Sequence, residues 1–136
     1  MGMLESKVVA ITGAGRGVGR EIALLCAAHG AAVVVNDPGV GGGGEGGDSG
    51  PAQQTVDDIV AAGGVASYCP ADVTKSADMK RLVETAVQQY GKLDAMVNNA
   101  GWTHRNRPAL DVPEDEFDRC YAVNVKSIYL ATVHAV

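Results

Sequence analysis

The sequence predicts a doubly wound α/β fold, a parallel sheet covered by helices on both faces. Three observations carry that expectation. Short apolar runs alternate with amphipathic segments of helical spacing, a glycine cluster lies between the first run and the first helix, and an aspartate closes the second run. Strands alternating with helices of about 10–15 residues imply right-handed crossovers, and these generate a parallel sheet.

The elements follow in order. Lys7 to Thr12 reads KVVAIT, a buried strand meeting glycines at once. From Val18 to Ala28 the residues Val18, Ile22, Leu25, Cys26 and Ala28 recur at helical spacing, and Gly30 is the stop. Ala31 to Asp37 is the second strand. Residues 38–50 then form a glycine-rich loop insertion, with eight of the chain's 18 glycines between Gly39 and Gly50. A flexible surface segment is preferred there over a lid. Pro51 opens a helix through Val56, Ile59 and Val60 that stops at Gly63 and Gly64. Val65 to Pro70 is a short strand, and Ser76 to Tyr90 an amphipathic helix closed by Gly91. Leu93 to Val97 is the fourth strand. From Glu114 the pattern is helical to the end, with Glu114, Asp115 and Glu116 complementing the dipole in the first turn.

The 136 residues are one domain's worth of chain. Eleven basic against sixteen acidic residues give a net charge of −5, and no basic run could track a phosphate backbone, so nucleic acid is excluded as a partner. No apolar stretch reaches the roughly 20 residues of a membrane span. No secretory signal is recognisable, so the expected location is cytoplasmic. Cys26, Cys69 and Cys120 are far apart, without CxxC or histidines at ligand spacing, and are read as reduced thiols; no metal site is expected.

The chemistry is concentrated in Thr12 to Gly19, TGAGRGVG. Between a strand and a helix these glycines have separate tasks. Gly13 allows the sharp turn, Gly17 allows the backbone near a pyrophosphate, and Gly19 allows tight helix–strand packing, with the helix N-terminus facing the anion. Gly15, Arg16 and Val18 complete the loop; the Arg16 guanidinium could reach a phosphate or stay solvated. The spacing is GxxxGxG, distinct from the GxGxxG of the dinucleotide fingerprint. Asp37 lies 18 residues after Gly19, where a carboxylate can accept both hydroxyls of an adenosine ribose. Its charge opposes a 2′-phosphate, so NAD is expected in preference to NADP.

Further motifs occur in order: Asp72 with Val73 after the third strand, Asn98, Asn99, Ala100 and Gly101 (NNAG) after the fourth, and Asn124 within YAVNVKS. Together with the glycine segment they make the chain resemble the short-chain dehydrogenase/reductase family. The resemblance implies a Rossmann-like sheet of strand order 3-2-1-4 and an NAD(P)-dependent oxidoreductase moving hydride to or from an alcohol or ketone substrate. It implies that Gly13, Gly17 and Gly19 hold the pyrophosphate, that Asp72 bonds the adenine amino edge, and that Val73 borders the ring. Asn98 to Gly101 would support the central strand and the cofactor ribose. Asn124 would be the catalytic asparagine, whose backbone carbonyl holds a water in the proton relay, against the alternative of a polar kink in a helix. A homo-oligomer is also implied, since the family commonly pairs this last helix across a dimer interface.

The family's serine and YxxxK pair are missing. Tyr68, Tyr90, Tyr121 and Tyr129 have Asp72, Asp94, Val125 and Val133 four residues on. The final SIYLATVHAV reads as helix interior, so residues 1–136 are expected to be the cofactor-binding domain, truncated before the last strands. His104, Arg105 and Arg107 suit either a solvated loop or the substrate mouth; Trp102 suits either the nicotinamide or simple packing. Two alternatives are a non-catalytic dinucleotide-binding fragment and a Rossmann-like methyltransferase.

Overall fold

The computed structural model describes residues 2–38 and 50–136. The glycine-rich insertion expected at 38–50 therefore falls, apart from its end residues, outside the described residues. Four strands form one sheet: β1 (Val8–Ile11), β2 (Ala32–Asp37), β3 (Val65–Pro70) and β4 (Ala95–Val97). They are parallel and ordered β3-β2-β1-β4, with Ile11 beside both Val35 and Val97 and Asp37 beside Pro70. The crossovers are α1 (Gly17–Ala28), α2 (Gly50–Ala61) and α3 (Ser76–Tyr90), followed by α4 (Glu114–Tyr121) and α5 (Ser127–Ala135).

All four residues of β1 are buried, as expected of a central parallel strand with helices on both faces. Alternation along the strands sorts two cores. Val8, Ala10 and Val34 pack with Met79, Leu82 and Ala86 of α3 and with Leu130 and Ala131 of α5. Val9, Ile11, Val33 and Val35 pack with Ala23 and Ala27 of α1 and with Val56 and Ile59 of α2. This places the glycine turn and the β2, β3 and β4 ends along one edge of the sheet, where α/β folds bind ligands. α3 ends on Gly91, whose φ of 83° is left-handed and whose amide bonds the Val87 carbonyl.

The last helical stretch departs from the continuous helix expected from Glu114 onward. Residues Ala122–Lys126 form a π-helical turn between α4 and α5. A π turn inserts residues without breaking the helix, so apolar spacing alone does not expose it. On α4, the π turn and α5, Phe117, Tyr121, Val125, Tyr129 and Val133 are exposed.

The start of β4 is aligned on β1 by Asp94. Its Oδ2 accepts the Val8 amide at 2.8 Å, and Lys92 pairs with the same carboxylate at 3.0 Å. The Val8 hydrogen bond, then the Lys92 side chain, hold the Asp94 carboxyl below its ordinary pKa. A depressed folded pKa gives stability that is complete above the unfolded value of about 3.9 and is lost as pH falls through the folded one. Asp94→Ala should therefore lower the melting temperature at neutral pH, and the gap to the parent should narrow as the pH falls below about 3.9. A gap unchanged between pH 7 and pH 3 would show that the carboxylate charge contributes nothing.

Candidate functional site

The site is built around the Thr12 hydroxyl. Thr12 is buried at the end of β1, and its amide continues the ladder to the Val97 carbonyl at 3.0 Å. Its Oγ1 accepts the amides of Asn99 and Ala100, each at 3.0 Å. The Asn99 carboxamide returns the connection, Nδ2 donating to the carbonyls of Thr12 at 3.1 Å and Gly13 at 3.2 Å. The turn leaving β1 and the segment leaving β4 are thereby one hydrogen-bonded unit.

The glycines fit that closeness. Gly13 has a φ of +65°, and a Cβ on it would lie 3.0 Å from the Ala100 Cα. At Gly19 a Cβ would lie 2.3 Å from the Gly13 carbonyl oxygen and 2.4 Å from Asn99 Nδ2, so no side chain is admissible there. Gly17 also has left-handed φ, +59°, yet open space where its Cβ would be. Its requirement is conformational, whereas that of Gly19 is steric. The first turn of α1 has no side-chain cap from Arg16 and no acidic residue. The positive dipole end of the helix suits an anion.

The neighbouring strand ends are tied to the same turn. The Ala14 amide donates to the Asn36 carbonyl at 2.8 Å. The fully buried Asn36 uses Nδ2 to bond the carbonyls of Cys69 and Ala71, both at 3.1 Å. Asp37 follows, with its Oδ2 only 2.7 Å from where a Gly15 Cβ would stand. Asp72 Oδ1 accepts the amide and hydroxyl of Thr74 at 2.9 and 2.7 Å, while its own amide donates to Asp78 at 2.9 Å. This turn sets Asp72 and Val73 beside the cleft.

A cleft of about 720 Å³ runs along these ends. Of the residues singled out in the sequence, Gly13, Arg16, Asp37, Asp72, Val73, Asn99, Ala100, Gly101 and Trp102 line it. Thr12, Gly15 and Gly19 are buried behind it, while Gly17, Val18 and Asn98 are exposed beyond its lining. His104, Arg105 and Arg107 are not in the lining either; Arg107 pairs with Glu116 of α4 at 3.0 Å.

Asn124 lies in the π turn. Its Oδ1 accepts the Trp102 amide at 2.8 Å and its Nδ2 donates to the Trp102 carbonyl at 2.7 Å, copying a backbone pairing. The side-chain amide thus holds the segment after NNAG. Arg119 was not anticipated. Its guanidinium stacks 4.1 Å from the centroid of Trp102, and both line the cleft with Val123. A position in α4 shows no sequence signal until Arg119 is placed over Trp102. Asn36 was also missed, although a polar residue in a buried apolar strand is such a signal.

Fit to a dinucleotide is tested by these features. Two glycines with left-handed φ, a helix N-terminus without an acidic residue in its first turn, and a carboxylate at the second strand end fit a diphosphate and a ribose diol. Among the described residues no group of three or more His, Cys, Asp or Glu side chains could hold a metal ion. No described helix is long and apolar enough to cross a membrane.

Removing the Thr12 hydroxyl should take its acceptor from the half-buried Ala100 amide beside the cleft. Thr12→Val is expected to lose about 0.5–1.5 kcal/mol of stability, the usual net contribution of a hydrogen bond, while Thr12→Ser retains most of it. Urea denaturation of the three proteins compares them directly; equal midpoints for the parent and the valine variant would contradict the assignment.

Comparison with known proteins is consistent across sequence and structure. A family model described as short chain dehydrogenase matches residues 7–136. The hydroxynaphthalene reductase-like protein of Metarhizium acridum (strain CQMa 102) is 38% identical over 132 residues, 97% of this chain and 46% of that protein. The crystal structure of a short chain dehydrogenase from Mycobacterium avium matches with a TM-score of 0.90 and 44% identity, over 99% of this chain and 46% of that one. A 7 alpha-hydroxysteroid dehydrogenase, complexed with NADH and 7-oxo glycochenodeoxycholic acid, matches with a TM-score of 0.85 and 36% identity, over 97% of this chain and 48% of that one. The chain thus spans about half the length of these relatives.

Proposed function

The chain belongs to the short chain dehydrogenase family, and from that premise we propose that it supplies the NAD-binding half of an oxidoreductase acting on a small alcohol or ketone. Family membership displaces the methyltransferase alternative. The observation that carries the reading is the joined cleft, in which the glycine turn, Asp37, the Asp72–Val73 pair and the NNAG segment meet along one sheet edge.

When bound, the nicotinamide supplies hydride chemistry that no side chain can. The chain's residues have the tasks of binding and orientation. The amides of the α1 N-terminus and the turn from Gly13 to Gly19 would take the diphosphate, with Arg16 beside them at the cleft. Asp37 would accept the ribose hydroxyls, and Asp72 and Val73 would border the adenine. Asn98 to Gly101 would back the nicotinamide ribose, their position held by Thr12. The Asn124 carboxamide fixes Trp102, and by resemblance to the family the Asn124 carbonyl would hold a water in the proton relay.

The 136 residues contain no Tyr with a Lys four positions on. General acid–base catalysis needs a positioned group of suitable pKa. By itself this chain is therefore proposed to bind and orient the dinucleotide without turning over substrate. Its exposed apolar face on α4 and α5 supports association with another chain, as in a homo-oligomer.

Binding of NADH and NADPH to the purified chain tests the reading. NADH should bind more tightly, because Asp37 accepts from a free 2′-hydroxyl and repels a 2′-phosphate. Asp37→Ala should narrow the difference, and no alcohol should be oxidised. Tighter binding of NADPH would refute the role of Asp37; robust turnover would show that another group, with His104 the first suspect, moves the proton.

A further inference from the structure

The buried stripe of α2 comprises Ala52, Thr55, Val56 and Ile59, so one hydroxyl interrupts an apolar face. Thr55 is 0% exposed. Its Oγ1 lies 3.2 Å from the Ala14 carbonyl, 3.4 Å from the Gly15 carbonyl and 3.1 Å from the Pro51 carbonyl in its own helix. A hydroxyl has one proton to give to these acceptors and lone pairs to receive. Arg20 of α1 uses them, donating from Nη1 at 3.2 Å while Nη2 pairs with Asp58.

This small network meets the site at one residue. Gly15 sits between the Asp37 carboxylate and the first turn of α2: a Cβ there would be 2.7 Å from Asp37 Oδ2 and 3.2 Å from the Ala52 amide nitrogen. A side chain at Gly15 has no room on either side, so the Gly15 backbone, the Asp37 carboxylate and the start of α2 are close neighbours. The Thr55 hydroxyl, 3.2 Å from the Ala14 carbonyl and 3.4 Å from that of Gly15, links this turn to α2, with Arg20 as its donor.

We propose that Thr55 is a positioning residue for the dinucleotide, holding Gly15 against α2 so that Asp37 meets the adenosine ribose in one orientation. The proposal rests on the dinucleotide reading above. Thr55 itself touches no ligand; Arg20 supports it by donating to the hydroxyl. In this account α2 forms the floor of the glycine turn as well as being the crossover to β3.

The test uses the full chain, calorimetric titration with NADH and NADPH, and thermal melting alongside. Thr55→Val, which keeps the shape and removes the hydroxyl, should weaken NADH binding about tenfold, as expected for one lost positioning hydrogen bond. NADPH binding should change less, so the preference between the two narrows. Thr55→Ser should restore the parent values. In an Asp37→Ala background the valine substitution should no longer affect NADH, because the group through which it acts is gone. Arg20→Met, at a more exposed position, should give a smaller effect in the same direction and serves as the test if the valine variant does not fold.

Equal losses for NADH and NADPH, or a loss that persists without Asp37, would overturn the proposal in favour of general destabilisation. So would a lower melting temperature with unchanged affinities. If the parent binds NADH in an Asp37-dependent way and the Thr55 and Arg20 variants match it, only this inference fails. If the parent binds neither dinucleotide, the functional reading fails and takes this one with it.

Discussion

Two amides bound to one buried hydroxyl join the halves of the site. Thr12 ends β1, Asn99 and Ala100 follow β4, and the two strands are neighbours in the sheet. Strand pairing alone would leave their outgoing segments free to diverge. The Thr12 hydroxyl prevents this by receiving both amides, and the Asn99 carboxamide completes the connection through the Thr12 and Gly13 carbonyls. Gly19 is part of the same constraint, because a side chain there would occupy the space of Asn99 Nδ2. Replacing any one of these groups leaves the others with unpaired polar atoms or a steric conflict, which is why they are best treated as a unit.

Around that unit the remaining strand ends are added by short-range bonds. Asn36 connects the Ala14 amide to the β3 end through its carbonyl and carboxamide. Thr74 and Asp78 set the turn at Asp72, and Asn124 sets Trp102. Almost every polar side chain at the cleft edge therefore has a structural partner within the protein. A cleft built this way is preorganised, so less ordering is needed when a ligand arrives.

Much of this was legible in the sequence. Apolar runs of four to six residues separated by amphipathic helices place the sheet and its crossovers, and the glycines at 30, 63 and 91 mark helix ends at which positive φ is observed. The glycine turn and Asp37 were legible because their chemistry depends on local spacing. Asp72, the NNAG segment and Asn124 were legible through resemblance to a family. What was not legible depends on three-dimensional adjacency. Thr55 and Arg20 are separated by 35 residues, and Arg119 meets Trp102 only through the tertiary placement of α4. The π turn was hidden for a different reason, since an inserted residue leaves the local composition helical.

Thr12 and Asn99 hold the cleft proposed for the dinucleotide in shape before any ligand binds. Residue-resolved amide hydrogen exchange, with and without NADH, measures this directly. The account predicts slow exchange at Asn99 and Ala100 in the free protein, with NADH adding protection chiefly between Gly15 and Gly19. Fast exchange at Asn99 and Ala100 until NADH is added, or no added protection in the glycine turn, would contradict it.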